Sequence, residues 1–315
     1  MRRVVVLGGA GFFGRLIVER LGAAGLNPIV ASRSHGDLRI DANDAEALKA
    51  NLKTRDIVID AAGPFQKRTP ALIELARKIG FDVIDISDSP EYTSMIYEQQ
   101  APIGAAGIRV LTACSSLSTI SALMLKAAGS EQPRRLSVYL VPASRYTANP
   151  GAITSFLSGI EGSSRTIHFP PPLGTRSGIT MKSVDAITLP RIFPSLQTTE
   201  FLVDGGIPGM NLLLRLKKVR DLAEQHQAKV IKLATRIGPK RGILAYDIGS
   251  AQRRRQRIFI GENSYMLAVI PAIEAAIAIA AGRFPHRGLV PPTEHLGLDA
   301  FLAAVARERI QMITV

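Results

Sequence analysis

Short runs of apolar, mostly β-branched residues alternate with segments of helical spacing along the first third of the chain. Arg3–Leu7, Pro28–Ala31, Leu38–Ile40, Asp56–Ala61, Asp82–Ile86 and Arg109–Ala113 read as strands. Their apolar positions run on without alternating, as expected of strands covered on both faces. Phe13–Ala24, Asp44–Leu52, Pro70–Ile79 and Glu91–Ala105 read as the intervening helices. Gly25 stops the first, and Asn43 or Asp44 opens the second as its cap. Strand and helix in alternation, with short connections, predict an α/β fold with a doubly wound parallel sheet.

After Gln132 the pattern changes. Arg135–Pro142 reads as a strand and Gly151–Ile160 as a helix, followed by an irregular Pro/Gly-rich stretch from His168 to Ile207. Asn211–Ile237 is a long basic helical pattern with a break near its middle. Gly242–Gly249 and Arg257–Gly261 read as strands, and Asn263–Ala281 as a strongly apolar helix. This predicts a second α+β domain with an antiparallel sheet, a division that suits a chain of 315 residues. The expected organisation is a first, parallel-sheet domain over 1–130 and a second, α+β domain over 131–262, with the helices of 263–315 as candidates to return to the first.

Gly9-Ala10-Gly11-Phe12-Phe13-Gly14 fits G-x-G-x-x-G, and Gly8 adds a further glycine. The pattern is weak alone and gains meaning here because it follows a strand and opens a helix. In such a Rossmann-type turn the first glycine permits the tight turn, the second admits the pyrophosphate, and the third packs helix on strand. The helix N-terminus supplies free N–H donors. At the end of the second strand, Ala31-Ser32-Arg33-Ser34 stands where NAD sites commonly carry a carboxylate for the ribose. A guanidinium and hydroxyls suit a 2′-phosphate, so NADP is expected over NAD. Asp41 is a candidate to flank the adenine. Ala61, Ala62, Gly63 and Pro64, at a strand's carboxyl end, let a ligand lie against the backbone.

Composition narrows the class. One cysteine and no tryptophan exclude a disulfide framework and point to a reducing, cytoplasmic setting. Val4–Leu7 leads straight into glycines, so no secretory signal is expected. Met266–Ala281 is interrupted by Glu274 and falls short of the roughly 20 residues of a membrane span. Of the net charge of +13, ten units fall between Arg215 and Arg257. A basic amphipathic stretch of this kind is a solvated helix face or a peripheral contact with anionic membrane. With aromatic residues at 5% and no recognition motif, nucleic acid is not expected.

Gly8–Gly14, Ala31-Ser32-Arg33, Asp60–Phe65 and Val83–Asp88 resemble, in that order, the blocks of the saccharopine dehydrogenase-like NAD(P)-binding family. Asp60 stands where that family commonly has asparagine. Gly261–Tyr265 entering an apolar helix, and Gly288–Pro292 before a final helix, are similar in outline. The resemblance covers about the first 115 residues well and about the last 55 loosely. It implies an NAD(P)-linked oxidoreductase without naming saccharopine as the substrate; a homodimer is a separate expectation.

Hydride transfer leaves the hard step to the cofactor, and the protein positions and polarises. None of the six tyrosines has Lys four residues later, which removes the short-chain dehydrogenase signature. Asp85 and Asp88, ending the fifth strand, are candidate acid–base groups, with Asp88 or Ser89 also placed to cap the next helix. Cys114, ahead of a Ser-rich helix start, is a candidate nucleophile of a semialdehyde dehydrogenase or a buried structural thiol. Arg145 and Tyr146 are candidates to bind a carboxylate and donate a proton. The expected function is an NADP-dependent oxidoreductase acting on a C–N, C=O or C=C centre of a small molecule such as an amino or oxo acid. A non-catalytic NADP-binding or membrane-associated protein is the competing class. No metal is expected.

Overall fold

A computed structural model describes residues 2–129, 132–207 and 209–315. The chain divides into two compact units, Met1–Leu123 with Leu267–Phe301, and Met124–Met266 with Leu302–Val315.

The first stretch runs β1 (Val4–Leu7), α1 (Phe12–Ala23), β2 (Ile29–Ser32), β3 (Leu38–Arg39), α2 (Ala45–Asn51), β4 (Ile57–Asp60), α3 (Ala71–Ile79), β5 (Asp82–Asp85), α4 (Pro90–Tyr97), α5 (Gln100–Ala105), β6 (Arg109–Leu111) and α6 (Thr119–Ala127). Every residue of β1, β4 and β5 is buried, which is why their apolar runs are continuous. Asp44 caps α2 by accepting from the N–H groups of Glu46 and Ala47. Gly80 ends α3 in the left-handed region that glycine enters without penalty. The single helix expected over 91–105 is two. Pro102 offers no N–H and its ring crowds the carbonyl four residues back, so α4 ends at Tyr97 and a new turn begins.

The chain continues as β7 (Arg135–Val141), α7 (Ser144–Thr147), α8 (Pro150–Gly159), β8 (Ile160–His168), β9 (Thr175–Met181), α9 (Asp185–Thr188), β10 (Thr198–Val203), α10 (Met210–Leu213), α11 (Lys217–Gln225), α12 (Gln227–Ile237), β11 (Gly242–Gly249) and β12 (Arg254–Gly261). Then come α13 (Ile270–Ala280), β13 (Gly288–Leu289), α14 (Leu298–Arg307) and β14 (Gln311–Thr314).

The structure corrects several expectations. The stretch 168–207 is not irregular throughout: it holds β9, α9 and β10, and Pro170–Pro172 form the turn of the β8–β9 hairpin, in which Phe169 donates to Gly174 O at 3.0 Å. β8, on the sheet's outer edge, was not anticipated, since seven of its nine residues are Glu, Gly, Ser, Arg, Thr or His and it buries only Ile167. β12 begins three residues earlier than expected. Asp247, buried on β11, binds Arg254 Nε at 2.5 Å and Arg135 at 2.9 Å and so carries two arginines into the ladder. The apolar segment after Asn263 opens as a 3-10 turn (Ser264–Ala268), and its α-helix begins only at Ile270, with Pro271 in the first turn.

In the first unit a seven-stranded sheet has the order β13-β6-β5-β4-β1-β2-β3, every pair parallel. In the second, a seven-stranded sheet has the order β14-β12-β11-β7-β10-β9-β8 and is antiparallel except where β7 meets β10. The fold is therefore a Rossmann-like parallel sheet plus an α+β unit. One face of the second sheet carries Tyr139, Leu202, Ala245 and Ile258, with Phe169 and Leu173 of the hairpin turn packed into the same core.

Candidate nucleotide site at the carboxyl edge of the first sheet

The strand order of the first sheet turns back between β1 and β4, with β2 and β3 on one side and β5 and β6 on the other. Ligands of open parallel sheets bind at the carboxyl ends of the strands at such a switch point.

The glycines on this edge serve different ends. Gly8 has φ +72, and a Cβ there would stand 2.6 Å from Ala61 O. A Cβ on Gly9 would stand 2.9 Å from Val6 O, and one on Gly14 would overlap the Gly8 carbonyl oxygen. Gly8, Gly9 and Gly14 are thus required by the protein's own packing. Gly11 differs. It is exposed in ordinary extended backbone, and its Cβ would meet only Gly8 O, at 3.1 Å. It is also the N-cap of α1, with no side chain capping the helix and no acid in the first turn. The amides of Phe12, Phe13 and Gly14 have no intrahelical acceptor and open toward this space. Ala10 and the two phenylalanines are half-buried, with the rings packed edge to face at 5.1 Å.

At the end of β2, Ser32 Oγ accepts from His35 N at 3.0 Å and donates to the His35 carbonyl, while Asp37 accepts from Val30 N at 2.8 Å. The tight loop leaves Arg33 exposed. Arg39, on β3, lies opposite Ser32 in register and is exposed too. Neither arginine has an ion-pair partner among the described residues. Arg39 was missed by the sequence reading, although a strand expected beside the second one put it within reach. Asp41 is exposed and accepts from Asn43 N at 2.9 Å, a local turn on the same edge.

Beyond β4, Asp60 accepts from Ala62 N at 3.0 Å and forms an ion pair with Arg68, both side chains sealed from solvent. Burial pushes the Asp60 carboxyl up, and the Arg68 charge opposes that push. This pairing fixes the Ala61–Pro64 turn. Ala61, Ala62 and Pro64 are half-buried and Gly63 is exposed. Beyond β5, Asp85 is fully buried and accepts from Ser87 N at 3.0 Å and Ala113 N at 2.9 Å. Burial raises its carboxyl to about 6, and the two backbone donors restrain the rise. The Thr112 hydroxyl beside it favours the charged form as well. Burial and the nearby Asp85 and Asp60 keep the Tyr92 phenol protonated.

Asp88 is exposed and accepts from Gln66 at 3.3 Å. Ser89, not Asp88, caps α4, accepting from Tyr92 N at 3.2 Å with Pro90 in the first turn. Cys114 lies five residues before α6 and is fully buried, and burial pushes its thiol up. That is the opposite of the depressed thiol a nucleophile needs. Beside it, the neutral His295 ring accepts from Thr119 Oγ1 at 2.7 Å and donates to Val290 O at 3.0 Å, its burial lowering it to about 4. The edge thus gathers Gly8–Gly14, Ser32, Arg33, Asp41, Ala61–Pro64, Asp85 and Asp88 on one unit. Tyr146 belongs to the second unit, where the residue is 42% exposed and its ring lies 6.5 Å from that of Tyr265. Arg145 there donates to Gly238 O at 3.2 Å.

Residues 4–111 match the family model of the saccharopine dehydrogenase NADP binding domain. Among curated proteins the chain finds no match. Of solved structures, it is similar to a UDP-glucose 4-epimerase from Thermus thermophilus in complex with NAD, at 25% identity and TM-score 0.22 over 26% of this chain and 36% of that one. The chain therefore spans about a third of that relative's length. It is also similar to a UDP-N-acetylglucosamine 3-dehydrogenase from Acidithiobacillus ferrooxidans, at 14% identity and TM-score 0.40 over 98% of this chain and 96% of that one. A biliverdin reductase from Synechocystis sp. matches at 12% identity and TM-score 0.41 over 96% of each. With the sheet, the glycine turn and the family match together, the first unit is an NAD(P)-binding domain of the Rossmann-fold oxidoreductase superfamily.

Proposed function

We propose that the chain is an NADP-dependent oxidoreductase that moves a hydride to or from a C–N, C=O or C=C centre of a small molecule, an amino or oxo acid in the first instance. The observation that carries this reading is the space at Gly11. It is the one glycine of the motif that the protein's own packing leaves free, and it fronts an uncapped helix N-terminus at the switch point. A pyrophosphate accounts for both features.

When bound, the cofactor supplies or accepts the hydride. Gly11 and the first amides of α1 hold its phosphates, and the Ala61–Pro64 backbone borders it. Arg33 and Arg39 hold the 2′-phosphate beside Ser32. Asp85 is a positioning residue. Sealed from solvent, it fixes the Ser87 and Ala113 amides and with them the edge of the site. Asp88, the exposed carboxylate at the end of the same strand, is the group to hold or move a proton.

Calorimetric titration with NADPH and NADH tests the assignment. Charge-assisted bonds to the 2′-phosphate favour NADPH by at least about ten-fold, and Arg33→Ala and Arg39→Ala each narrow the gap. Equal affinities in the parent protein sink the NADP assignment, and no binding of either cofactor sinks the site.

A further inference from the structure

Nine large apolar side chains are exposed among the described residues, and six of them, Leu212, Leu213, Leu216, Leu222, Leu233 and Ile237, fall between residues 212 and 237. None of α10, α11 and α12 contains a buried residue. α11 and α12 pack on α8, and Gln227 donates to Thr154 at 3.1 Å across that contact. Val219 and Ala223 of α11, and Val230, Ile231 and Ala234 of α12, are half-buried at three- and four-residue spacing. Leu222, Leu233 and Ile237 fall between those positions and remain outside. Positions 219, 222 and 223, and 230, 233, 234 and 237, share one stripe on each helix, so each apolar stripe is covered by the protein along one flank and left in water along the other.

Residues 210–237 also carry seven Lys or Arg against Asp221 and Glu224. Arg215, Lys217, Lys218, Lys229, Lys232 and Arg236 are exposed, and none has an ion pair with a described residue. Single exposed leucines are ordinary, but six of the nine exposed large apolar side chains in one basic segment are a concentration that ordinary surface does not require.

We propose that α10–α12 dock on the surface of an anionic lipid bilayer, with the leucines entering the acyl boundary and the flanking cations meeting the headgroups. A second copy of the chain fits less well, because a two-fold contact would set like charges against each other. Groove recognition by a protein uses one helical stripe, whereas these leucines are spread over three short helices, which suits a continuous apolar layer beneath negative charge. No helix among the described residues is long and apolar enough to cross a membrane, so the contact is peripheral. The proposal does not depend on the nucleotide reading.

The chain has no tryptophan, so Leu233→Trp installs a single reporter. Its emission is expected to shift to the blue on mixing with phosphatidylcholine–phosphatidylserine vesicles at low salt and to be quenched by brominated acyl chains. Both effects are expected to fade at high salt and to be absent with pure phosphatidylcholine. Replacing Lys229, Lys232 and Arg236 by Ala is expected to weaken partitioning about five-fold each and about a hundred-fold together. Flotation of the unaltered chain with the same vesicles gives a second reading that needs no substitution. Absence of flotation with anionic vesicles at low salt overturns the proposal, and so does equal binding to neutral ones. A blue shift that grows with protein concentration without lipid assigns the segment to self-association. A shift with polyglutamate but not with vesicles assigns it to an acidic protein. Either result overturns the proposal.

Discussion

Gly11 and Gly14 lie three residues apart in one motif, yet their substitution is expected to fail in opposite ways. Gly11 has φ −75° and ψ 175°, backbone that any residue adopts, and its Cβ has one close neighbour at 3.1 Å. Valine there costs an N-cap preference of about 1 kcal/mol, or about 2–4 °C of melting temperature. Its methyl groups would, however, occupy the place of the pyrophosphate. Losing two charge-assisted bonds to backbone amides, at about 1.5–3 kcal/mol each, weakens NADPH at least about 100-fold. Gly14→Ala places a methyl on the Gly8 carbonyl, and since backbone must move, a cost of about 2–3 kcal/mol or more and a fall of about 5–10 °C are expected. Dye-monitored melting with and without NADPH reads both effects. Saturating cofactor at about 100 times its Kd stabilises the parent by about 2.7 kcal/mol, and this protection should vanish in Gly11→Val. A folded Gly11→Val protein that binds NADPH within about three-fold of the parent would place the phosphates elsewhere and refute the reasoning. An unchanged melting temperature in Gly14→Ala would refute the packing half of it.

Two further predictions concern the buried groups behind this edge. Cys114 is expected to resist iodoacetamide in the native protein and to react in denaturant, because its thiol is fully buried and raised; rapid native labelling would restore the nucleophile reading. His295 is lowered from 6.5 to about 4, so its contribution to stability is present above about pH 6.5 and is lost as pH falls toward 4, roughly 3 kcal/mol in all. Asp85 is raised from 3.8 to about 6, so stability is greatest below pH 3.8 and falls as pH rises toward 6, by a similar amount. The two slopes oppose one another. Asp85→Asn should steepen acid destabilisation between pH 6.5 and 4, and His295→Asn should reverse it, as read from urea midpoints; parallel profiles in parent and variants would show that neither group titrates as assigned.

The parallel sheet was legible because its central strands β1, β4 and β5 are sealed on both faces. Val4–Leu7 and Ile57–Asp60 could be little else, and the G-x-G-x-x-G turn after the first of them marked the candidate site. The second unit was legible in the central strands β7 and β11, while β9 and β10, also paired on both sides, fell in the stretch expected to be irregular. Gly242–Gly249 lies between two partners and was read to the residue, whereas Ile160–His168 pairs on one side only and its polar side chains carry no period-two signal. Edge strands meet water on their free side, so nothing obliges them to alternate.

The site divides along the same line. Its backbone parts were visible because glycine and proline record the conformation they serve. The parts that depend on charge were not. Arg68 stands in a loop eight residues past Asp60, where sequence offers no reason to separate it from any other surface arginine. Only the burial of both side chains makes it the partner that holds the Ala61–Pro64 turn. Asp85 shows the converse. Its place at the end of a central strand invites an acid–base role, but the same place puts Ser87 N and Ala113 N within its reach and closes it from solvent. A carboxylate at a strand end is thus ambiguous until its burial is known. The exposed Asp88, three residues on, is the one left open to solvent.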